Sequence, residues 1–165
     1  MAELLPTERI RPCLLDRLTD YAPHRRKEAR NKRVITIRQY REYVLRDLGW
    51  LLNTANREQL DDYDDFEEIQ HSVLNFGIPD LCGLPVSGIN LKDLSARIRL
   101  AIQWCEPRII PSTLEVAPVS GDAATANVLS FEIQGELWAE PFNEMLLIKT
   151  SVDLENGEFK LKEGV

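Results

Sequence analysis

Glu106-Pro107-Arg108 sets an acid and a base two residues apart around a proline, the clearest chemical potential in this chain. Pro107 cannot continue a helix and pushes Glu106 out of helical backbone space. In an extended segment residues two apart project the same way, so the two charges should pair on one side. A carboxyl close to Trp104 invites the role of general acid in a glycosidase, which needs two carboxyl groups about 5 to 10 Å apart, one with a raised pKa. Arg108 works against that role, because a neighbouring cation favours the ionised carboxylate. No second carboxylate in the sequence has a claim to the far side of a cleft. An ion pair that fixes geometry at an interface explains both charges with fewer assumptions; a structural salt bridge tying helix to strand is the alternative.

Little else in the chain has the pattern of a catalytic or metal site. His24 and His71 have no nucleophile arranged beside them. Cys13, Cys82 and Cys105 are widely spaced, with no Cys-x-x-Cys pair. They read as isolated thiols of a reducing compartment, two of them expected in the interior, and no zinc site is legible. Residues 58–68 carry seven carboxylates and no base, and lack the glycine that a calcium loop needs for its turn. They read as a solvated loop. Gly77, Gly83 and Gly88 form no phosphate cradle of either common type. No cofactor, metal or small-molecule substrate is expected. A net charge of -7 argues against nucleic-acid binding. No stretch approaches the roughly 20 apolar residues that span a bilayer, and the first ten residues lack a signal-peptide core, so a cytoplasmic protein is expected.

The elements that must position Glu106 and Arg108 follow from periodicity. Asn90 can cap a helix with Asp93 in its first turn, and Leu91, Leu94, Ile98, Ala101, Ile102 and Cys105 share one face of it. That face is expected to be core. A second helix starts at a Thr36/Gln39 capping box, with Ile35 and Tyr40 spaced as a hydrophobic staple. Its apolar face runs through Ile37, Tyr40, Val44, Leu45, Leu48, Leu51 and Leu52 to an end near Asn53. Gly49 within it suggests close packing or tolerated noise. Upstream, Leu14, Leu15 and Leu18 could anchor one or two helical turns, in a segment tucked onto the domain or in a partner-binding arm. Residues 24–33 are basic, a solvated stretch or a dock for an acidic partner.

Residues 72–76 suit a strand or a buried turn, and Ile78, Leu81 and Leu84 are expected to wedge against the core. Beyond Pro111 the period becomes two, predicting strands over 113–117, 126–138 and 145–154. Asn156-Gly157 predicts a hairpin to a last strand over 159–161. The expected fold is α+β: N-terminal and central amphipathic helices packed on one face of a mainly antiparallel sheet with a C-terminal hairpin. It comprises an N-terminal arm and basic segment over 1–33 and a single domain over 34–165. One sheet edge should stay open to a strand from another chain.

Leu14-Leu15-Asp16-Arg17-Leu18, Leu45-Arg46-Asp47-Leu48 with Leu51-Leu52-Asn53-Thr54, Ser72-Val73-Leu74-Asn75-Phe76-Gly77 with Pro79-Asp80-Leu81, and Glu106-Pro107-Arg108 occur in this order. Their order and spacing resemble the TssE family of type VI secretion baseplate subunits, similar to a "lysozyme-like" wedge protein of contractile phage tails. The resemblance implies structural work: a wedge with TssF and TssG, near TssK, at a baseplate docked on the inner-membrane complex. It also implies that Glu106, Pro107 and Arg108 act in starting a sheath of TssB and TssC, and leaves Leu14, Leu15, Asp16, Arg17 and Leu18 as a possible partner-binding arm. The label on the relatives makes a peptidoglycan-cleaving hydrolase the competing function, which no residue pattern supports. An adaptor unrelated to secretion that shares the fold is a third reading.

Overall fold

The computed structural model describes residues 10, 12–20, 23–24, 35–57, 66–119, 127–139 and 143–164. The helices are α1 (Leu14–Leu18), α2 (Ile37–Leu52), α3 (Glu67–Gln70) and α4 (Leu91–Cys105). The strands are β1 (Glu115–Val119), β2 (Val128–Leu137), β3 (Glu144–Asp153) and β4 (Glu158–Glu163), an antiparallel meander in the order β1-β2-β3-β4. The α+β expectation therefore holds. Most of the basic and acidic runs lie outside the described residues.

The capping box predicted for α2 is present, while Ile37 and Leu45 of its expected apolar face are only half-buried. The Thr36 side chain accepts from the Gln39 N–H, and the Gln39 side chain accepts from the Thr36 N–H. Asn53 closes the helix, and Tyr40, Val44, Leu48, Leu51 and Leu52 are buried. Asn90 caps α4 as expected, and Leu94, Ile98, Ala101 and Ile102 are buried. They share one core with Leu129, Phe131 and Ile133, the inward residues of β2, whose outward neighbours Ser130, Glu132 and Gln134 are half-buried. The Asn156-Gly157 hairpin forms, with Gly157 at φ 71°, a left-handed value that favours glycine.

Several expectations fail for identifiable reasons. Leu91 is exposed and Cys105 half-buried, because they terminate the stripe where the helix leaves the core. A β-carbon at Gly49 would have no atom within 4 Å, so that glycine is not there for close packing. Val73–Asn75 is a 3-10 turn rather than a strand or buried turn, and Val73 is 85% exposed. Ser72 directs it, accepting from the Leu74 N–H. Ile78 and Leu81 wedge into the core; Leu84 lies at the surface. Leu14, Leu15 and Leu18 do not anchor α1, for all three are exposed and the buried residue of that helix is Asp16.

Candidate functional site: an ion-paired corner beside a sheet edge

α4 ends where Glu106 takes up φ -124°, ψ 79°, and the chain then turns through Pro107 and runs along β2. Trp138 N–H donates to the Arg108 carbonyl at 2.8 Å, and Ile110 N–H donates to the Glu136 carbonyl at 2.9 Å. Within this corner Arg108 Nε donates to Glu106 Oε1 at 2.6 Å, and Nη2 donates to Oε2 at 2.5 Å. The Arg108 backbone N–H adds a third bond to Oε1 at 3.2 Å. Acid and base do pair on one side, but across a turn that the Ile109 N–H closes on the Glu106 carbonyl at 3.2 Å, not along extended backbone. Glu106 is only 3% exposed, while Pro107 is exposed and Arg108 partly so.

The pair belongs to a longer alternation of charge. Arg108 Nη2 also donates to Asp47 Oδ2 on α2 at 2.5 Å. Asp47 Oδ1 accepts from Arg46 Nε at 2.8 Å, and Arg46 Nη2 donates to Asp16 Oδ1 at 2.7 Å. Asp16 Oδ2 in turn accepts from the Cys13 thiol at 2.8 Å. Three carboxylates and two guanidiniums therefore connect α1, α2 and the corner. Burial alone would make Arg108 easier to deprotonate, but the hydrogen bonds and charges of Glu106 and then Asp47 outweigh it and raise its pKa. Arg46 is raised for the same kind of reason by Asp16 and Asp47, against a smaller net loss of solvent. Tyr43 and Trp50 also flank its guanidinium, with ring centroids at 5.2 and 4.9 Å.

Asp47 received no role from the sequence, and Asp16 only membership of a possible partner-binding arm, although a signal was present for Asp47. Asp47 lies three residues after Val44 and four before Leu51, on the core face of α2, where a carboxylate demands a cation. Which cation only the tertiary structure decides. The leucines of the arm project outward, with Leu14 and Leu18 at 69% and 73% exposure, while Asp16 pins the helix from beneath.

The geometry opposes a general-acid role for Glu106, both of whose carboxyl oxygens accept from the guanidinium. A groove of about 390 Å³ lies between α4 and residues 79–89, but Asp93 is the one carboxylate in its lining, next to Arg97. Among the described residues no group of three metal-ligating side chains comes together, and no helix is long and apolar enough to cross a membrane.

The two sheet edges differ. Alternate residues of an edge strand turn their peptide groups outward. On β4 these are Phe159, Leu161 and Glu163, in step with Phe159, whose N–H and carbonyl both meet Asn53 on the outer side. Asn53, at the end of α2, fills the first position: its Oδ1 accepts from the Phe159 N–H at 2.9 Å and its Nδ2 donates to the Phe159 carbonyl at 3.1 Å. On β1 the outward residues are Val116 and Pro118, and Pro118 has no N–H. Arg99 Nε donates to the Leu114 carbonyl just before it at 3.0 Å. Among the described residues Val116 keeps an unpaired N–H and carbonyl on the flank of β2 that also holds residues 108–110.

Residues 38–141, well over half of the chain, match the family model for baseplate wedge protein gp25. The matched span contains α2 from its second residue, the corner, β1 and β2. No curated protein and no solved structure matches the chain. With its ion-paired corner inside the matched span, the chain belongs to the baseplate wedge protein gp25 family, the structural components of phage-tail baseplates.

Proposed function

We propose that this chain is the wedge subunit of a type VI secretion baseplate, and that it nucleates the contractile sheath. In this reading it works in the cytoplasm, at a baseplate docked on the inner-membrane complex. It joins TssF and TssG near TssK through the exposed leucines of α1, and it receives the first strands of TssB or TssC at a sheet edge. The arm and basic segment over 1–33 serve the wedge, and the domain over 34–165 serves the sheath.

The observation that carries this reading is the placement of the corner beside an incompletely paired edge. Glu106 and Asp47 hold Arg108, whose Nη1 is buried, so that Pro107 is the exposed point of a rigid corner. Val116 supplies main-chain hydrogen bonds on the same flank of β2. Edge pairing is indiscriminate in register, so a fixed corner beside it selects one register over others. Glu106 acts from within, by fixing Arg108, rather than by touching the incoming strand.

The test is an affinity pull-down of tagged chain from its native cells, comparing wild type with Arg108→Lys and Pro107→Ala, each checked for cooperative unfolding first. Retention of wedge proteins with loss of sheath proteins in folded variants supports the reading. Recovery of neither set by wild type, even after mild crosslinking, overturns it.

A further inference from the structure

α4 is apolar on two faces. Opposite its buried stripe, Ala96, Leu100 and Trp104 follow each other at four-residue intervals and face outward, with Leu100 and Trp104 at 39% and 40% exposure. His71, in the turn after α3, lies against Trp104 with ring centroids 4.2 Å apart and holds the indole in place. The same turn leads directly into the exposed Val73 and Leu74.

The borders of this strip are basic in a chain that is acidic overall. Lys92 and Arg99, seven residues apart, line one side, and Arg97 lies on the other. Asp93 is the one acid on α4, and Glu68 on α3 is the nearest acidic residue in sequence to His71 among the described side chains. Arg99 also donates to the Leu114 carbonyl, which turns its guanidinium toward the start of β1. An apolar seam with like charges along its borders selects a helix whose own seam is bordered by the opposite charge.

We infer that the outer face of α4 docks an amphipathic helix of another protein, with an apolar seam bordered by Asp and Glu. A second copy of this chain is the wrong occupant, because pairing two such faces sets Lys92, Arg97 and Arg99 against their own counterparts. The strip from Ala96 to Trp104 is about 12 Å long at 1.5 Å per residue, enough for two turns of a partner. Such a contact is weak alone and becomes tight when other contacts tether the two chains. It is separate from the corner and from the α1 leucines and does not depend on the sheath reading.

The experiment is an NMR titration of the isotope-labelled full chain with a synthetic helical peptide carrying a Leu/Ile seam and Glu borders. The control peptide has the same seam with Lys borders. The Glu-bordered peptide is expected to shift amides of α4, His71 and residues 73–75, with at least about fivefold tighter binding than the control, equivalent to about 1 kcal/mol. Leu100→Ser and Trp104→Ser, both at exposed positions, should abolish these shifts and keep the wild-type spectrum elsewhere. Equal response to both peptides, shifts centred on α1, or no shifts at all would overturn the inference. So would a concentration-dependent dimer of the free chain that Leu100→Ser dissolves.

Discussion

Arg108 reaches Asp47 across 61 positions of sequence, with Nη2 donating to Oδ2 at 2.5 Å while also serving Glu106. Asp47 is therefore the residue that fastens the corner to α2, and it stands between two arginines. Asp47→Ala leaves Arg46 and Arg108 without their shared counter-ion. The expected loss is about 3 kcal/mol, in the range for removing one partner of a buried pair. Asp47→Asn should lose less, since its amide oxygen still accepts. Urea unfolding of both variants checks the order, and an unchanged midpoint in Asp47→Ala would contradict it.

α1 has five residues, too few to hold helical structure alone. With its leucines exposed, the Asp16 bond to Arg46 is its principal tether. Asp16→Ala should release it. Hydrogen exchange at the Arg17 and Thr19 amides, which donate to the Cys13 and Leu15 carbonyls, should then approach free-peptide rates. Protection in α2 and β2 should persist; unchanged protection at Arg17 would mean that something else holds the arm.

Asn53 stands in for a missing strand at the start of β4 through its two bonds to Phe159. Asn53→Ala leaves those peptide groups without a partner, at an expected cost of about 1–3 kcal/mol. It also lengthens the open edge, so sedimentation should reveal more self-association than in the wild type. A stable, monomeric variant would show that the edge is guarded by other means.

Gly77 and Gly83 both have positive φ, 122° and 75°, but their surroundings differ. A β-carbon on Gly77 would lie 2.2 Å from the Thr54 carbonyl oxygen, a backbone atom that cannot yield, whereas one on Gly83 meets nothing within 4 Å. Gly77→Ala should cost about 2–3 kcal/mol more than Gly83→Ala, because backbone strain adds to the common conformational penalty. Thermal melts of the two variants decide this, and equal melting temperatures would refute it.

The three thiols should react in order of access. Cys82 is exposed, and Cys13 and Cys105 are half-buried. Burial first, then the bond to Asp16, raises the Cys13 pKa above its ordinary 9.0. Burial first, then the Glu106 charge, raises Cys105 above the same value. Iodoacetamide at neutral pH should label Cys82 well before the others. Because the folded state keeps these two thiols protonated longer than the unfolded chain does, their contribution to stability is intact below pH 9.0 and is lost as pH rises through the higher folded values. Replacing both by Ser should flatten the stability curve on that alkaline side.

The sequence by itself determined what depends on neighbours within a few positions. The capping box at Thr36, the Asn90 cap, the break at Pro107, the alternation in β2 and the Asn156-Gly157 turn are local rules, and each is present in the fold. The pairing of Glu106 with Arg108 was legible from their spacing, but the backbone that makes it is a turn closed by the Ile109 N–H on the Glu106 carbonyl, not the extended segment expected. Tertiary structure alone decided which distant groups share a burial site. Periodicity marks a side chain as inward but does not name what meets it, so the path from Asp16 through Arg46 and Asp47 to Arg108 could not be read. Nor could the exposure of the α1 leucines, which accompanies Asp16 taking the inward position, where Arg46 supplies the cation that a buried carboxylate requires.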